Sequence, residues 1–314
     1  MLLARTAEQQ LVGRDDPEFQ GVDPLSPLTG WFGSGAASTK PFFDPTPDGF
    51  DARRIRMFRP SHGSRRLPVV KPARGDGPVV AYSMDGVLTR SCRLDEFDFE
   101  LLRTAFPTRE FFRRLEQANK PVAAWLYTTG HHVNTESHHE RTLMTLGDHH
   151  PAVHHIAGQP FTLVWPDGSP IKSHTPDVAF TGTGTPPLIV DVKTPKESRK
   201  PAWVERAPLV AEAVARMGMG YVVWTGMSRP FRLNLENFTD ARLPDASYKR
   251  WSDIAVQLCS APMTASELAD RLDEAGYQRG WALTLIRRLL WRRRLHTNMF
   301  AVYDSRSIVE RGDV

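Results

Sequence analysis

Two acids and a lysine lie at the ends of two apolar runs, and a third acid begins a helical pattern upstream. Asp177 opens the run "DVAF", and Asp191 and Lys193 close the run "LIVDVK". Because side chains alternate along a strand, Asp191 and Lys193 lie on the same face of theirs. A neighbouring strand would bring Asp177 close to Asp191, and a helix that begins near Glu140 would add a third carboxylate. We therefore expect these four side chains to form one site.

The chemistry of such a site follows from its charges. Three converging carboxylates repel one another unless a cation lies between them. Glu140, Asp177 and Asp191 are hard oxygen ligands of the kind that suits one or two Mg²⁺ or Mn²⁺ ions, with the backbone carbonyl of Val192 as a further candidate ligand. Lys193 would orient or deprotonate a water and stabilise charge at a phosphate. The set predicts hydrolysis of a phosphodiester. The alternative is a solvated strand end downstream and a simple helix cap at Glu140.

The elements that must position these residues can be read from patterns of apolar and polar residues. Ser137 and Glu140 form the S-x-x-E pattern that begins a helix. Three strand patterns follow, "GQPFTLVW", "SHTPDVAF" and "PPLIVDVK", then the helix "WVERAPLVAEAVARMG" and the strand "GYVVWTG". This order predicts a small α/β unit in which the acids meet at strand ends.

The rest of the chain divides by composition. Residues 1–50 are rich in Pro, Gly, Ser and Asp and predict an extended or disordered arm. Residues 51–120 predict an N-terminal α/β region of unknown role, with a strand at "PVVAYS" and helices at "RLDEFDFELLRTAF" and "TREFFRRLEQANK". Residues 121–245 hold the α/β unit. Residues 246–314 show three helical patterns and a short hairpin at "HTNMFAVYD", which favour a winged helix over a plain helical partner-binding domain.

Charge is distributed unevenly over the 314 residues. The net charge is +4 and the pI about 9.2. Between Asp51 and Arg74 there are eight Lys or Arg and one acid, and between Arg287 and Arg294 five arginines and no acid. These stretches indicate a polyanionic partner, although a solubilising face is an equal alternative. The candidate DNA contacts are Lys196, Arg199, Lys200, Arg287, Arg288, Arg292, Arg293 and Arg294.

Other features bear on location and on metals. No run approaches 18 apolar residues, so we expect no membrane span. The N-terminus lacks a signal-peptide core, and Cys92 and Cys259 match no disulfide or zinc spacing, which together favour the cytoplasm. His150 and His154 have a zinc-like spacing, but Pro151 interrupts them. Glu136 is an alternative to Glu140 as the acid of the helix.

The order E…PD…DxK resembles the PD-(D/E)xK nuclease superfamily. Residues 126–226 further resemble the TnsA family of transposon end-cleaving endonucleases, on an E-S-x-x-E helix start and a V-x-x-I-x-x-QP-F stretch, then H-x-PD and a strand that ends in x-x-Lys. The matching positions are Ser137, Glu140, Val153, Ile156, Gln159, Pro160, His174, Pro176, Asp177, Asp191, Val192 and Lys193. TnsA has Gln where Asp191 stands, and an acid is the commoner superfamily choice.

The resemblance implies a fold and a role. The fold would be a restriction-endonuclease-like core, a central mixed sheet flanked by helices, with an α-rich winged-helix-like C-terminal domain and an N-terminal extension. The role would be 5′-strand cleavage of double-stranded DNA at transposon ends, beside a DDE-type transposase and an AAA+ regulator at the nucleoid. Two other readings remain open: a stand-alone restriction or defence nuclease, and a non-catalytic DNA-binding or bridging subunit.

Overall fold

A computed structural model of the protein describes residues 19, 21–34, 65–66, 69, 71–110, 122–241 and 245–312. The helices are α1 (Ser26–Phe32), α2 (Leu101–Thr104), α3 (His138–His149), α4 (Pro195–Ser198), α5 (Pro201–Arg216), α6 (Arg229–Thr239), α7 (Asp245–Leu258), α8 (Ala265–Glu274) and α9 (Arg279–Trp291), with a 3₁₀ turn at Leu94–Glu96. The strands are β1 (Arg65–Arg66), β2 (Val79–Tyr82), β3 (Arg90–Arg93), β4 (Arg109–Glu110), β5 (Val122–Leu126), β6 (His131–Thr135), β7 (His155–Gly158), β8 (Thr162–Val164), β9 (Ser173–His174), β10 (Val178–Thr181), β11 (Leu188–Val192), β12 (Gly220–Trp224), β13 (Met263–Thr264), β14 (Leu295–Thr297) and β15 (Ile308–Arg311). The α/β class predicted from the sequence is confirmed.

A mixed four-stranded sheet lies at the centre, in the order β12-β11-β10-β7. Strand β11 runs parallel to β12, and β10 runs antiparallel to both β11 and β7. Alternation assigns its residues to two cores: Val178 and Val190 belong with α3, whereas Ala179 and Ile189 belong with α5. Helix α3 packs closely, because any side chain at its Gly147 would overlap the ring of Phe180. Both faces are buried, which explains the continuous apolar runs of β10 and β11.

Two prolines divide the polypeptide between this sheet and a second one, ordered β3-β2-β8-β9. A proline cannot donate to a strand ladder. Pro160 separates β7 from β8, and Pro176 separates β9 from β10. The sequence patterns "GQPFTLVW" and "SHTPDVAF" therefore supply β8 and β9, which are neighbours in the second sheet, and not two complete strands of the central one. The central sheet instead uses β7, which the sequence patterns missed, and the second half of "SHTPDVAF".

The C-terminal region contains the three predicted helices. Thr264 caps α8 through a complete capping box with Glu267. Strands β13, β15 and β14 form a small antiparallel sheet. The predicted hairpin is wider than expected, because β15 begins at Ile308, beyond the "HTNMFAVYD" pattern. Helix α9 ends at Trp291 and packs against α6 and α8.

Two predictions for the N-terminal part need correction. Helix α1 lies inside the predicted arm, with Leu28 buried and the Trp31 indole donating to the carbonyl of Pro186 at 2.8 Å. This segment is anchored on the protein's own body. Residues 109–110, predicted as helical, form β4 paired with β1, and "RLDEFDFELLRTAF" contains only the 3₁₀ turn and α2. Most of the basic stretch 51–74 and of the pattern 108–120 lies outside the described residues. Within the described chain, no helix is long and apolar enough to cross a membrane.

Candidate functional site

Glu140 lies in the first turn of α3, where it caps the helix. The Ser137 hydroxyl accepts from the Glu140 amide at 3.2 Å and donates to its Oε1 at 3.0 Å. The backbone amide of Glu136 donates to Oε2 at 2.8 Å. The side chain is buried, with 6% of its surface exposed. The predicted cap is therefore confirmed, and it holds this carboxylate in a fixed orientation inside the protein.

Asp177 stands at the corner where the polypeptide passes from the second sheet into the central one. Its Oδ2 accepts from the amide of Val192 at 2.7 Å and from the ammonium of Lys193 at 3.1 Å. Its Oδ1 has no hydrogen-bond partner among the described residues, and 15% of the side chain is exposed. Burial raises the pKa of Asp177 to about 6, against the opposing charge of Lys193. One oxygen of this carboxylate is thus open to a ligand.

Glu140 and Asp177 act on each other electrostatically. Burial raises the pKa of Glu140 well above its ordinary value, and the negative charge of Asp177 raises it further. Raised carboxyl pKa values mean that the local positive charge does not balance the negative charge when both groups are ionised. A pair of this kind attracts a cation.

Asp191 has a different environment. It has no exposed surface, and its carboxylate lies 2.8 and 3.0 Å from Nε2 of His174. The hydroxyl of Tyr221 donates to Oδ2 at 2.5 Å. Burial favours a higher pKa, but the hydrogen bond and charge of His174 hold the pKa of Asp191 below its ordinary value. This carboxylate already has a partner at each of its oxygens.

Lys193 connects these groups. Its ammonium donates to Asp177 and to the carbonyl of Val192 at 2.8 Å, and it lies 4.6 Å from the ring centre of Trp203 on α5. Burial disfavours the charged amine, but the charges of Asp177 and Asp191 outweigh it and raise the pKa of Lys193. The lysine is therefore a cation in this geometry, and the candidate Val192 carbonyl is taken up by it.

Glu136, the alternative helix acid, belongs to an adjoining network. Arg109 pairs with its Oε1 at 2.6 Å, and the amide of Gln159 donates to the same oxygen at 3.1 Å. Gln159 adopts a left-handed φ of 47°, which is uncommon for a residue other than glycine, and its backbone amide donates to the carbonyl of Asp177. Glu136 therefore supports the strand corner beside Asp177, and Glu140 is the acid coupled to Asp177.

Mg²⁺ and Mn²⁺ bind hard oxygen ligands such as carboxylates. Among the described residues, no group of three His, Cys, Asp or Glu side chains is arranged to hold a metal ion. The open oxygen of Asp177 and its coupling to buried Glu140 fit a hard divalent cation, because such an ion removes the repulsion between them. Asp191 fits less well, since His174 holds its pKa below the ordinary value, whereas the pKa values of Glu140 and Asp177 are raised. Two of the three expected carboxylates, Glu140 and Asp177, therefore fit a metal site.

The candidate DNA contacts fall into three groups by exposure. Lys196, Arg199 and Lys200 are exposed, directly after the strand that carries Lys193. Arg288 and Arg292 are buried, with 0% and 6% of their surface exposed, over the rings of Tyr127 and Tyr248 respectively. Arg287, Arg293 and Arg294 are half-buried, and Arg287 donates to Asn237 of α6 and Arg294 pairs with Asp253 of α7. Arg288 and Arg292 are therefore unavailable to DNA in this structure.

Sequence reasoning missed several residues of the site. Three of them come from elements that are distant in sequence: Tyr221 from β12, Trp203 from α5 and Arg109 from β4. Only the packing of these elements in the folded protein brings their side chains to the site. Strand alternation gives one signal: Tyr221 pairs with Ile189 across β11 and β12, which puts it on the Asp191 face. His174 and Gln159 come just before Pro176 and Pro160, the prolines that follow β9 and β7. These prolines are the signal in the sequence that could have indicated both residues.

No known protein family model matches this chain. No curated protein matches it either.

Proposed function

We propose that the protein is a metal-dependent DNA endonuclease, a TnsA-like subunit of a heteromeric transposase that hydrolyses the 5′ strand at transposon ends. The observation that carries this proposal is the contact of Lys193 with Asp177, beside the buried Glu140. A lysine cation, an open carboxylate oxygen and a second acid in one place supply the groups that hydrolysis of a phosphodiester requires.

The central sheet gives secondary support. A helix that carries an acid precedes three strands, and a second helix leads to a fourth strand parallel to the third. This is the order expected of a restriction-endonuclease-like core, and the two acids and the lysine come from its helix start, strand corner and strand end. The C-terminal helices and small sheet have the element order of a winged helix.

Each residue has a role in this proposal. Glu140 and Asp177 would hold Mg²⁺ or Mn²⁺, and a bound ion of this kind polarises a phosphate and lowers the pKa of a water. Lys193 would place its ammonium beside the attacked phosphate and stabilise developing negative charge. Lys196, Arg199 and Lys200 would contact the DNA backbone, where contacts position the duplex without reading its sequence.

The partners remain part of the proposal. TnsA-like activity would require a DDE-type transposase for the other strand and an AAA+ regulator. Arg288, near the end of α9, and Arg292, directly after it, pack against aromatic rings inside the protein. Docking of the C-terminal region onto a protein partner is therefore favoured over insertion of this end of α9 into a DNA groove.

The test is a nicking assay on supercoiled plasmid with Mn²⁺, with and without the co-expressed transposase. We expect nicks that carry 5′-phosphates with wild-type protein, and at least 100-fold slower nicking with Lys193→Ala and Asp177→Ala. Exposed Lys249→Ala is the matched control and should cut normally.

Two results would contradict the proposal. One is undiminished nicking by both site variants. The other is wild-type protein that neither binds Mn²⁺ nor cuts DNA in the presence of the transposase, which would favour the non-catalytic bridging subunit. Cutting without any transposase would favour the stand-alone nuclease.

A further inference from the structure

Asp191 differs from the other two acids in the groups that contact it, which are side chains from two other strands. An ionised carboxylate offers about four acceptor positions. The imidazole of His174 lies within hydrogen-bond distance of both oxygens, and Tyr221 donates to Oδ2. Two donors therefore make three contacts with this carboxylate, and the side chain has no exposed surface. Asp177, by contrast, has a partly exposed side chain, and its Oδ1 has no hydrogen-bond partner among the described residues.

The groups around Asp191 form a closed cluster that extends to Lys193. His174 comes from β9 of the second sheet, and Tyr221 comes from β12, so Asp191 ties three strands together. Trp203 of α5 packs on the His174 ring, with the ring centres 5.8 Å apart. The same indole lies against the ammonium of Lys193 at 4.6 Å. The cluster thus fixes the end of β11 and one side of the lysine that follows it.

We infer that Asp191 is a positioning residue rather than a metal ligand: with His174, Tyr221 and Trp203 it anchors the end of β11 so that Lys193 reaches Asp177. This inference deepens the proposed function and departs from the three-carboxylate ligand set that the E…PD…DxK order implies. Glu140 and Asp177 would then hold the cation alone, and Asp191 would act on the reaction only through Lys193.

Metal binding and metal-free stability separate the two roles. In Asp191→Asn a donor replaces one acceptor oxygen, so at least one bond to His174 or Tyr221 is lost. In Asp177→Asn a carbonyl still accepts from Val192 and Lys193, and the repulsion with Glu140 disappears. Mn²⁺ titration calorimetry should show affinity at least tenfold weaker for Asp177→Asn and within about threefold of wild type for Asp191→Asn. In chelator, Asp191→Asn should melt at least about 4 °C below wild type, and Asp177→Asn at or above it.

Nicking kinetics add a readout that a purely structural role would not change. A variant that has lost a ligand recovers rate when Mn²⁺ is raised, whereas a variant with a displaced lysine does not. We expect Asp191→Asn to nick at least tenfold slower with no recovery in tenfold more Mn²⁺. Trp203→Phe, which keeps a ring against the ammonium, should nick faster than Trp203→Leu.

Three results would overturn the inference. They are a loss of Mn²⁺ affinity in Asp191→Asn equal to that in Asp177→Asn, recovery of its nicking at high Mn²⁺, or equal melting of the two variants in chelator. Wild-type protein that binds no Mn²⁺ counts against the proposed function instead. The metal-free melting comparison still decides the anchoring role in that case.

Discussion

Two regions of the molecule bury charged side chains, and they do so in different ways. At the sheet corner, Lys193 contacts Asp177, and the buried Glu140 is coupled to Asp177 electrostatically. In the C-terminal region, Arg288 and Arg292 meet aromatic rings. The first arrangement leaves negative charge that a cation can balance, whereas the second packs the guanidinium groups against aromatic rings. Both regions show clusters of charged residues in the sequence, so it is the packing around each that separates a candidate site from a structural interface.

The largest effect that tests this contrast is expected at Arg288. Burial lowers its pKa to about 10, and its guanidinium lies 4.4 Å from the ring centre of Tyr127. Arg288→Ala removes a large buried side chain and should lower the free energy of unfolding by about 4 kcal/mol. Arg288→Met keeps the packing volume without the charge and should stay within about 1 kcal/mol of wild type. Urea denaturation measures both.

The structural role of Arg288 would be wrong if Arg288→Ala kept its stability and instead lost DNA affinity. Half-buried Arg287, which donates to Asn237, provides the comparison on the same helix. Arg287 also donates to Thr284, and its Ala variant should lower the free energy of unfolding by about 1 to 2 kcal/mol, the usual contribution of two hydrogen bonds.

Much of the fold could be predicted from local patterns, and the failures have a physical cause. The helix starts at Ser137 and Thr264 were predicted correctly, because a cap is set by residues three apart. The sheet to which each strand belongs was not predicted, because Pro160 and Pro176 interrupt the strands but do not indicate which sheet each half joins. The acids and Lys193 were found through alternation along single strands. The contacts of His174 and Tyr221 with Asp191 were not predicted, because three separate strands bring these residues together.

The second largest effect concerns pH and the sheet corner. The pKa of Asp177 is raised from 3.8 to about 6, so between these values the folded protein holds a proton that the unfolded chain has lost. Stability from this group is therefore greatest below about pH 4 and declines as pH rises to 6. Without metal, the free energy of unfolding of wild type relative to Asp177→Asn should fall by at most about 3 kcal/mol across this window.

An exposed acid supplies a control of opposite sign. The hydrogen bond from Lys71 lowers the pKa of Asp167, so its contribution is lost as pH falls and is retained above the ordinary value. The difference between wild type and Asp167→Asn should therefore grow with pH. If the free energy of unfolding of wild type relative to Asp177→Asn did not change between pH 4 and 6, the pKa of Asp177 would not be raised by folding.

A smaller effect compares two helix caps of the same type. Ser137 caps α3 at the site, and Thr264 caps α8 in the C-terminal region. Either Ala variant should lower the free energy of unfolding by about 1 kcal/mol. Only Ser137→Ala should also slow plasmid nicking, because the Ser137 hydroxyl holds Oε1 of Glu140. Equal nicking by the two variants would mean that the orientation of Glu140 is not needed for cleavage.

The smallest effect is expected at the exposed lysines after β11. Lys196 and Lys200 make no contact that buries them, so replacing both by Ala should change the free energy of unfolding by less than about 0.5 kcal/mol. If they meet phosphates, the slope of log affinity against log salt should fall by about 2 in the double variant. Exposed Arg271 of α8 serves as the control, and its Ala variant should keep the wild-type slope. An unchanged slope in the double variant would remove these two lysines from the DNA surface and leave Arg199 and Lys193 as the basic residues of this segment proposed to meet a phosphate.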